Sequence, residues 1–73
     1  MGVTLIYTKS ARRRMLERNI SEAEVTEVLQ NYEVALPVDN DCTNFYKVIG
    51  RRRIRVTLAN DKKTIVTLTE ELP

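Results

Sequence analysis

The fold is decided by the stretch Arg51-Arg52-Arg53-Ile54-Arg55-Val56-Thr57-Leu58. Successive side chains of a β-strand point to opposite faces, which predicts a core position for Ile54, Val56 and Leu58 and the other face for Arg53 and Arg55. Such a strand gives a small domain one apolar face and one cationic face. A cationic sheet face favours an anionic partner, and RNA is the first candidate.

The chain has 73 residues, which is room for a single domain spanning 1–73. A core in a chain of this size supplies only about 3 to 5 kcal/mol of stability. The lone Cys42 has no second cysteine for an internal disulfide, and no apolar run approaches the ~20 residues that cross a bilayer. The first residues lack the apolar core of a secretion signal, so we expect a soluble cytoplasmic protein that does not bind membranes.

Charge is distributed unevenly along the chain, although its net value is only +2. Eight of the twelve cationic residues are arginines in two short clusters, namely Arg12, Arg13, Arg14, Arg18 and Arg51, Arg52, Arg53, Arg55. Arginine is the residue best suited to bidentate phosphate contacts and to stacking on bases. The alternative interpretation of each cluster is a solvated surface with ordinary salt bridges.

Two helices are expected in the first half. Ser21 followed three residues later by Glu24 forms a capping box. Val25, Val28, Leu29 and Tyr32 then recur at helical spacing, which predicts one buried stripe. Upstream, residues 10–18 also show a helical pattern, with Ala11, Met15 and Leu16 on one arc and Asn19 suited to the C-terminus.

Strand patterns follow, at residues 34–38, 43–49, 53–59 and 64–69, and residues 3–7 resemble a short strand or an extended arm. Pro37 indicates an edge strand for the first of them. The predicted fold is α+β, with an N-terminal helical hairpin packed on one face of a three- or four-stranded antiparallel sheet.

A three-residue connection of Gly50, Arg51 and Arg52 predicts which residues pair between the two strands that it joins. This connection sets Val48 opposite Ile54 and Tyr46 opposite Val56, and a similar turn after Ala59 sets Val56 opposite Val66 and Ile54 opposite Leu68. The uncovered face would then carry Phe45, Lys47, Ile49, Arg53, Arg55, Thr57, Ile65, Thr67 and Thr69.

An aromatic ring among cations is a usual arrangement for holding single-stranded RNA. The predicted RNA-binding residues are Arg14, Arg18, Phe45, Lys47, Arg51, Arg53 and Arg55. The competing interpretation is that apolar side chains on this face are covered by the N-terminal segment, by a second copy in a homodimer, or by an acidic protein partner.

The sequence has few of the residues used for metal binding, phosphate binding or nucleophilic catalysis. The chain has no histidine, one cysteine and two glycines, so we expect no metal site, no phosphate-binding glycine loop and no cofactor. Without a histidine to activate it, Cys42 is interpreted as a small packing residue at the start of a strand.

A family resemblance rests on Thr8, Lys9, Ser10, Ala11, Arg14, Met15, Arg18, Asn19, Ile20, Ser21, Val25, Leu29, Gly50, Arg52 and the strand at 54–58. On these residues the chain resembles the DUF4258 family, which is similar in layout to the RelE, ParE and BrnT toxins. A histidine is usual in that family where this chain has Ser10. Ser10, Arg14 and Arg18 share one helix stripe, and serine does not replace an imidazole as a base.

The resemblance to RelE-like nucleases implies a catalytic set of Arg53, Arg55 and Lys47. Arg53 and Arg55 would clamp the phosphate, Lys47 or Lys9 would act as the acid, and Tyr46 or Tyr7 would orient the nucleophile. The predicted function is therefore a RelE-like toxin-family domain that binds RNA, with ribonuclease activity left open. The alternative is a non-catalytic module that docks an acidic or amphipathic partner segment, as an antitoxin would supply.

Overall fold

The computed structural model describes residues 4–38 and 41–71. Seven elements follow one another along the chain: β1 (Ile6–Tyr7), α1 (Lys9–Arg18), α2 (Glu22–Gln30), β2 (Val34–Val38), β3 (Cys42–Ile49), β4 (Arg52–Ala59) and β5 (Thr64–Glu71). The strands form a single mixed sheet in the order β1-β5-β4-β3-β2. Consecutive strands from β2 to β5 pair antiparallel, whereas β1 pairs parallel with β5.

Both helices begin and end where local side-chain chemistry supports it. The Thr8 hydroxyl caps α1 by accepting from the Ala11 N–H, and Asn19 ends the helix with a left-handed φ of 54°. At α2, Ser21 and Glu24 form the expected capping box. The predicted caps of both helices are therefore confirmed.

The core lies between the helices and one face of the sheet. Its fully buried side chains come from both layers: Ala11, Val25 and Val28 from the helices, and Ile54, Val56, Ile65 and Leu68 from β4 and β5. One prediction on α1 is wrong, because Leu16 is 85% exposed instead of packing with Met15. Tyr32 is a second exception, because α2 ends at Gln30 and Tyr32 is 49% exposed. The other residues of the predicted helical stripes face the core.

The β3–β4 hairpin corrects the predicted register by one residue. Gly50 has a φ of 66°, the sign that a two-residue turn of type II′ needs at its first position. Ile49 therefore pairs with Arg52, Lys47 with Ile54 and Tyr46 with Arg55. Because a shift of one residue exchanges the faces of a strand, β3 is turned over relative to the prediction.

A register irregularity between β4 and β5 corrects a second prediction. Thr57 pairs with Thr67, but the next residue, Leu58, pairs with Ile65. Val66 is therefore the additional residue of a bulge, which reverses the side-chain parity of the strand at this point. Ile65, predicted on the uncovered face, is fully buried in the core.

The α+β architecture, with helices preceding the main strands, is confirmed. The sheet has five strands because part of the predicted N-terminal strand pairs as β1 with β5. β2 is an edge strand, as Pro37 indicated. The predicted turn at 39–41 and the first residue of the predicted strand at 3–7 fall partly or wholly outside the described residues.

Candidate binding face of the sheet

One face of the sheet carries the helices, and the other is covered by no helix or strand among residues 4–38 and 41–71. We call this second surface the open face. Pairing of Tyr46 with Arg55 and of Val48 with Arg53 places these four side chains together near its centre. Arg53 and Arg55 thus lie where the alternating pattern of β4 predicted them.

The two arginines have unusual surroundings. The Arg53 guanidinium lies over the Tyr46 ring, 4.5 Å from its centroid, which is a cation–π contact. The Nε of Arg55 is buried and has no hydrogen-bond partner within the described part of the chain. Neither guanidinium is in a salt bridge with a described carboxylate, although Glu71 is the cross-strand partner of Arg53 and lies on the same face.

Three arginines of the first cluster lie near two glutamates. Arg12 pairs with Glu22 at 2.7 Å, and Arg13 and Arg14 lie 3.6 and 4.0 Å from Glu17. These exposed pairs contribute little to stability. They do lower the net charge of α1, so the interpretation as an ordinary salt-bridged surface fits this cluster better than it fits the open face.

Arg52 has a structural role within the second cluster. Its guanidinium contacts Glu24 at 2.9 Å and Glu70 at 3.0 Å, and it donates to the carbonyl oxygens of Arg18 and Asn19. The side chain therefore joins the end of α1, the start of α2 and β5. Hydrogen bonds to the Glu24 carboxylate, first from the Ser21 backbone N–H and then from the Arg52 guanidinium, lower the pKa of Glu24. The carboxylates of Glu24 and Glu70 in turn raise the pKa of Arg52.

Acid should weaken the domain through Glu24. A lowered pKa in the folded state means that this carboxylate stabilises the fold above its unfolded pKa, and that the contribution is lost as pH falls through the folded value. We expect the free energy of unfolding, measured by urea denaturation, to fall as the pH drops below the ordinary glutamate pKa of about 4.3. Glu24→Gln should be less stable at neutral pH and show a shallower dependence on pH in this acidic range. An unchanged slope in the variant would show that Glu24 has no part in it.

The structure separates the residues predicted to bind RNA. Phe45 and Lys47 were predicted on the uncovered face but point to the helices: Phe45 packs on the core and Lys47 lies 3.9 Å from Glu27. The one-residue shift of the β3–β4 hairpin is the physical reason. Arg14 and Arg18 lie on α1 in the helical layer, and Arg51 is exposed in the turn before β4. Arg53 and Arg55 alone among the predicted residues share the open face.

Tyr46 was also assigned to the wrong face, as were the other residues of β3. It was predicted in the core, but its pairing with Arg55 and its contact with Arg53 place it on the open face. The aromatic ring near the arginines is therefore Tyr46 and not Phe45, which forms an edge contact with Tyr32 at 4.9 Å. Gly50 was the available signal, because glycine at the first turn position favours a two-residue connection.

The implied catalytic groups are likewise divided between the two layers. Lys47 faces α2, and Lys9 lies in the first turn of α1. Tyr7 packs on the core beneath Arg12, and its burial raises the pKa of its hydroxyl. Only Tyr46 shares the open face with Arg53 and Arg55.

Within residues 4–38 and 41–71, no cluster of three or more metal-ligating side chains occurs. Neither described helix is long and apolar enough to cross a membrane.

Comparison with known protein families gives a match to the model described as "Domain of unknown function (DUF4258)" over residues 7–70. The chain belongs to the DUF4258 family. The match covers the segment from β1 to β5, so the family resemblance noted in the sequence is confirmed. No curated protein and no solved structure matches the chain, and the further likeness to RelE, ParE and BrnT toxins has no support from these comparisons.

Proposed function

We propose that this DUF4258 domain binds single-stranded RNA through the centre of its open face. The observation that carries the proposal is the pair Arg53 and Arg55, which are successive residues on the open face of β4 and form no salt bridge with a described carboxylate. Successive residues on one face of a strand are about 7 Å apart, so two guanidinium groups are presented side by side to an anionic backbone.

Neighbouring side chains support a single strand as the ligand. The stacked Arg53 and Tyr46 offer a planar surface for an unpaired base. Thr57 and Asn44 lie beside them on the open face and hydrogen-bond to each other at 2.7 Å. The remaining donor and acceptor capacity of these two groups suits the edges of bases.

The proposal is binding without strand cleavage. General acid–base catalysis needs groups whose pKa lies near the working pH, and the chain has no histidine. The lysines and Tyr7 that the resemblance implied as acid or orienting group lie in the helical layer or on the helix-covered face, away from Arg53 and Arg55. A bound RNA should therefore be recovered intact.

A salt titration tests the proposal. A fluorescently labelled RNA of about ten nucleotides should bind at low salt, and log K should fall against log [salt] with a slope of about −1.4 if two phosphates are neutralised. A double-stranded RNA of the same sequence should bind more weakly, because its bases are stacked inside the helix and its wide minor groove is recognised mainly by its shape. Absence of binding at low salt would refute the proposal.

A protein partner is the second candidate, because aliphatic side chains lie beside the arginines on the open face. Docking of an acidic amphipathic segment would retain an apolar component that high salt does not remove.

A further inference from the structure

The open face differs from the usual composition of a sheet face that is exposed to solvent. In such sheets the outward positions are polar, and β5 follows this rule with Thr64, Thr67 and Thr69. On the opposite flank, β2 and β3 present a group of aliphatic side chains instead: Val34, Leu36, Val38 and Val48, which are 39 to 49% exposed. We call these four residues the aliphatic row.

Scattered exposed apolar residues need no explanation, whereas contiguous ones mark interaction surfaces. Val48 pairs with Arg53, and Val34 pairs with Tyr46, which in turn pairs with Arg55. One end of the aliphatic row therefore adjoins the two arginines, and the row continues from there along β2. RNA binding would use Arg53, Arg55 and Tyr46 but would leave the row exposed to water. The row therefore suits a ligand with an apolar surface.

Charge decides among the candidate occupants. Packing the open faces of two copies against each other would bring four arginines, Arg53 and Arg55 of each copy, into one interface, and like charges brought together at an interface are costly. A partner with acidic residues beside an apolar stripe would satisfy both parts of the surface. We propose that the aliphatic row docks an amphipathic helix of a partner protein, with the helix's acidic flank directed towards Arg53 and Arg55.

The dimensions of the face fit one helix. From Val34 to Val38 the row is about 14 Å long, which corresponds to about nine helical residues. Two strand spacings, about 10 Å, separate β2 from β4. A helix about 10 Å in diameter that lies over β2 and β3 would therefore hold its flanking carboxylates above the two arginines. The sheet would then be covered by helices on both faces.

Docking has a consequence for RNA that rests on the function proposed above. A helix over the aliphatic row would neutralise Arg53 and Arg55 and cover Tyr46. The partner and RNA would then compete for the same domain. The docking itself does not depend on RNA binding and is measured separately.

The test uses the full chain and a labelled synthetic peptide of 18 residues, with leucines along one stripe and glutamates on the adjoining flank. We expect micromolar binding by fluorescence anisotropy, at least tenfold weaker binding to Leu36→Ser, and unchanged binding to Leu16→Ser. Leu16 is the matched control because it is an exposed leucine on α1, in the opposite layer. A peptide with lysines replacing the glutamates should not bind, and this control does not depend on the folding of any variant.

The proposal is overturned if the acidic peptide does not bind, if the lysine peptide binds equally well, or if Leu36→Ser and Leu16→Ser behave alike while circular dichroism shows both folded. Sedimentation showing a dimer that Leu36→Ser disrupts would make a second copy the occupant and would overturn it too. Unlabelled peptide should displace labelled RNA. If RNA binds and the peptide binds without displacing it, competition is refuted, whereas failure of RNA to bind at all refutes only the RNA proposal.

Discussion

Replacing Ile54 by alanine is expected to leave the domain largely unfolded at 37 °C. The side chain is fully buried at the centre of the sheet, and truncating such a residue costs about 2 to 5 kcal/mol through lost burial and the cavity that remains. A domain of this size has only about 3 to 5 kcal/mol in total. Thermal and urea denaturation followed by circular dichroism measure the effect.

Val48→Ala is the matched comparison, because the predicted register placed Val48 opposite Ile54 in the core. In the structure Val48 is 42% exposed on the open face, so this change should cost less than about 1 kcal/mol. Two similarly large losses of stability would mean that both side chains are buried. That result would support the three-residue connection and contradict the hairpin described above.

Sequence reasoning succeeded where the signal is local. The capping box of Ser21 and Glu24 and the left-handed Asn19 depend on residues within one helical turn. Alternation within β4 likewise separated Ile54 from Arg55 without knowledge of any other strand. The fold class and the placement of the two arginines on the open face could therefore be predicted from the sequence.

The rest of the site depended on relations between strands. One residue more or less in the turn at Gly50 exchanges the faces of β3, and with them the roles of Phe45 and Tyr46. The bulge that buries Ile65 is set by packing of β5 and has no mark in the sequence comparable to a cap. The aliphatic row depends on the first of these relations, because Val48 and the β3 partners of β2 lie on the open face only in the observed β3–β4 register.

The second large expected effect is a loss of affinity for RNA. The double variant Arg53→Ala/Arg55→Ala should bind single-stranded RNA about 30-fold more weakly at low salt, because each phosphate contact contributes about 1 kcal/mol. The slope of log K against log [salt] should also fall towards zero as the two phosphate contacts disappear. Both side chains lie on the open face and neither forms a salt bridge with a described carboxylate, so the fold should tolerate their removal.

Arg14→Ala/Arg18→Ala is the control with the same change of net charge. These side chains belong to α1, in the layer on the other side of the sheet. If RNA were attracted only by overall charge, the two double variants would lose affinity equally. If the open face is the site, the control should stay within about threefold of the unmodified domain, since only long-range screened charge is removed.

The most direct test is therefore the ratio of the dissociation constants of these two double variants for one labelled RNA, in one buffer, with circular dichroism showing both folded. An open-face site predicts that the Arg53/Arg55 variant binds about tenfold or more weakly than the Arg14/Arg18 variant. A ratio near one, or weaker binding by the α1 variant, would contradict it.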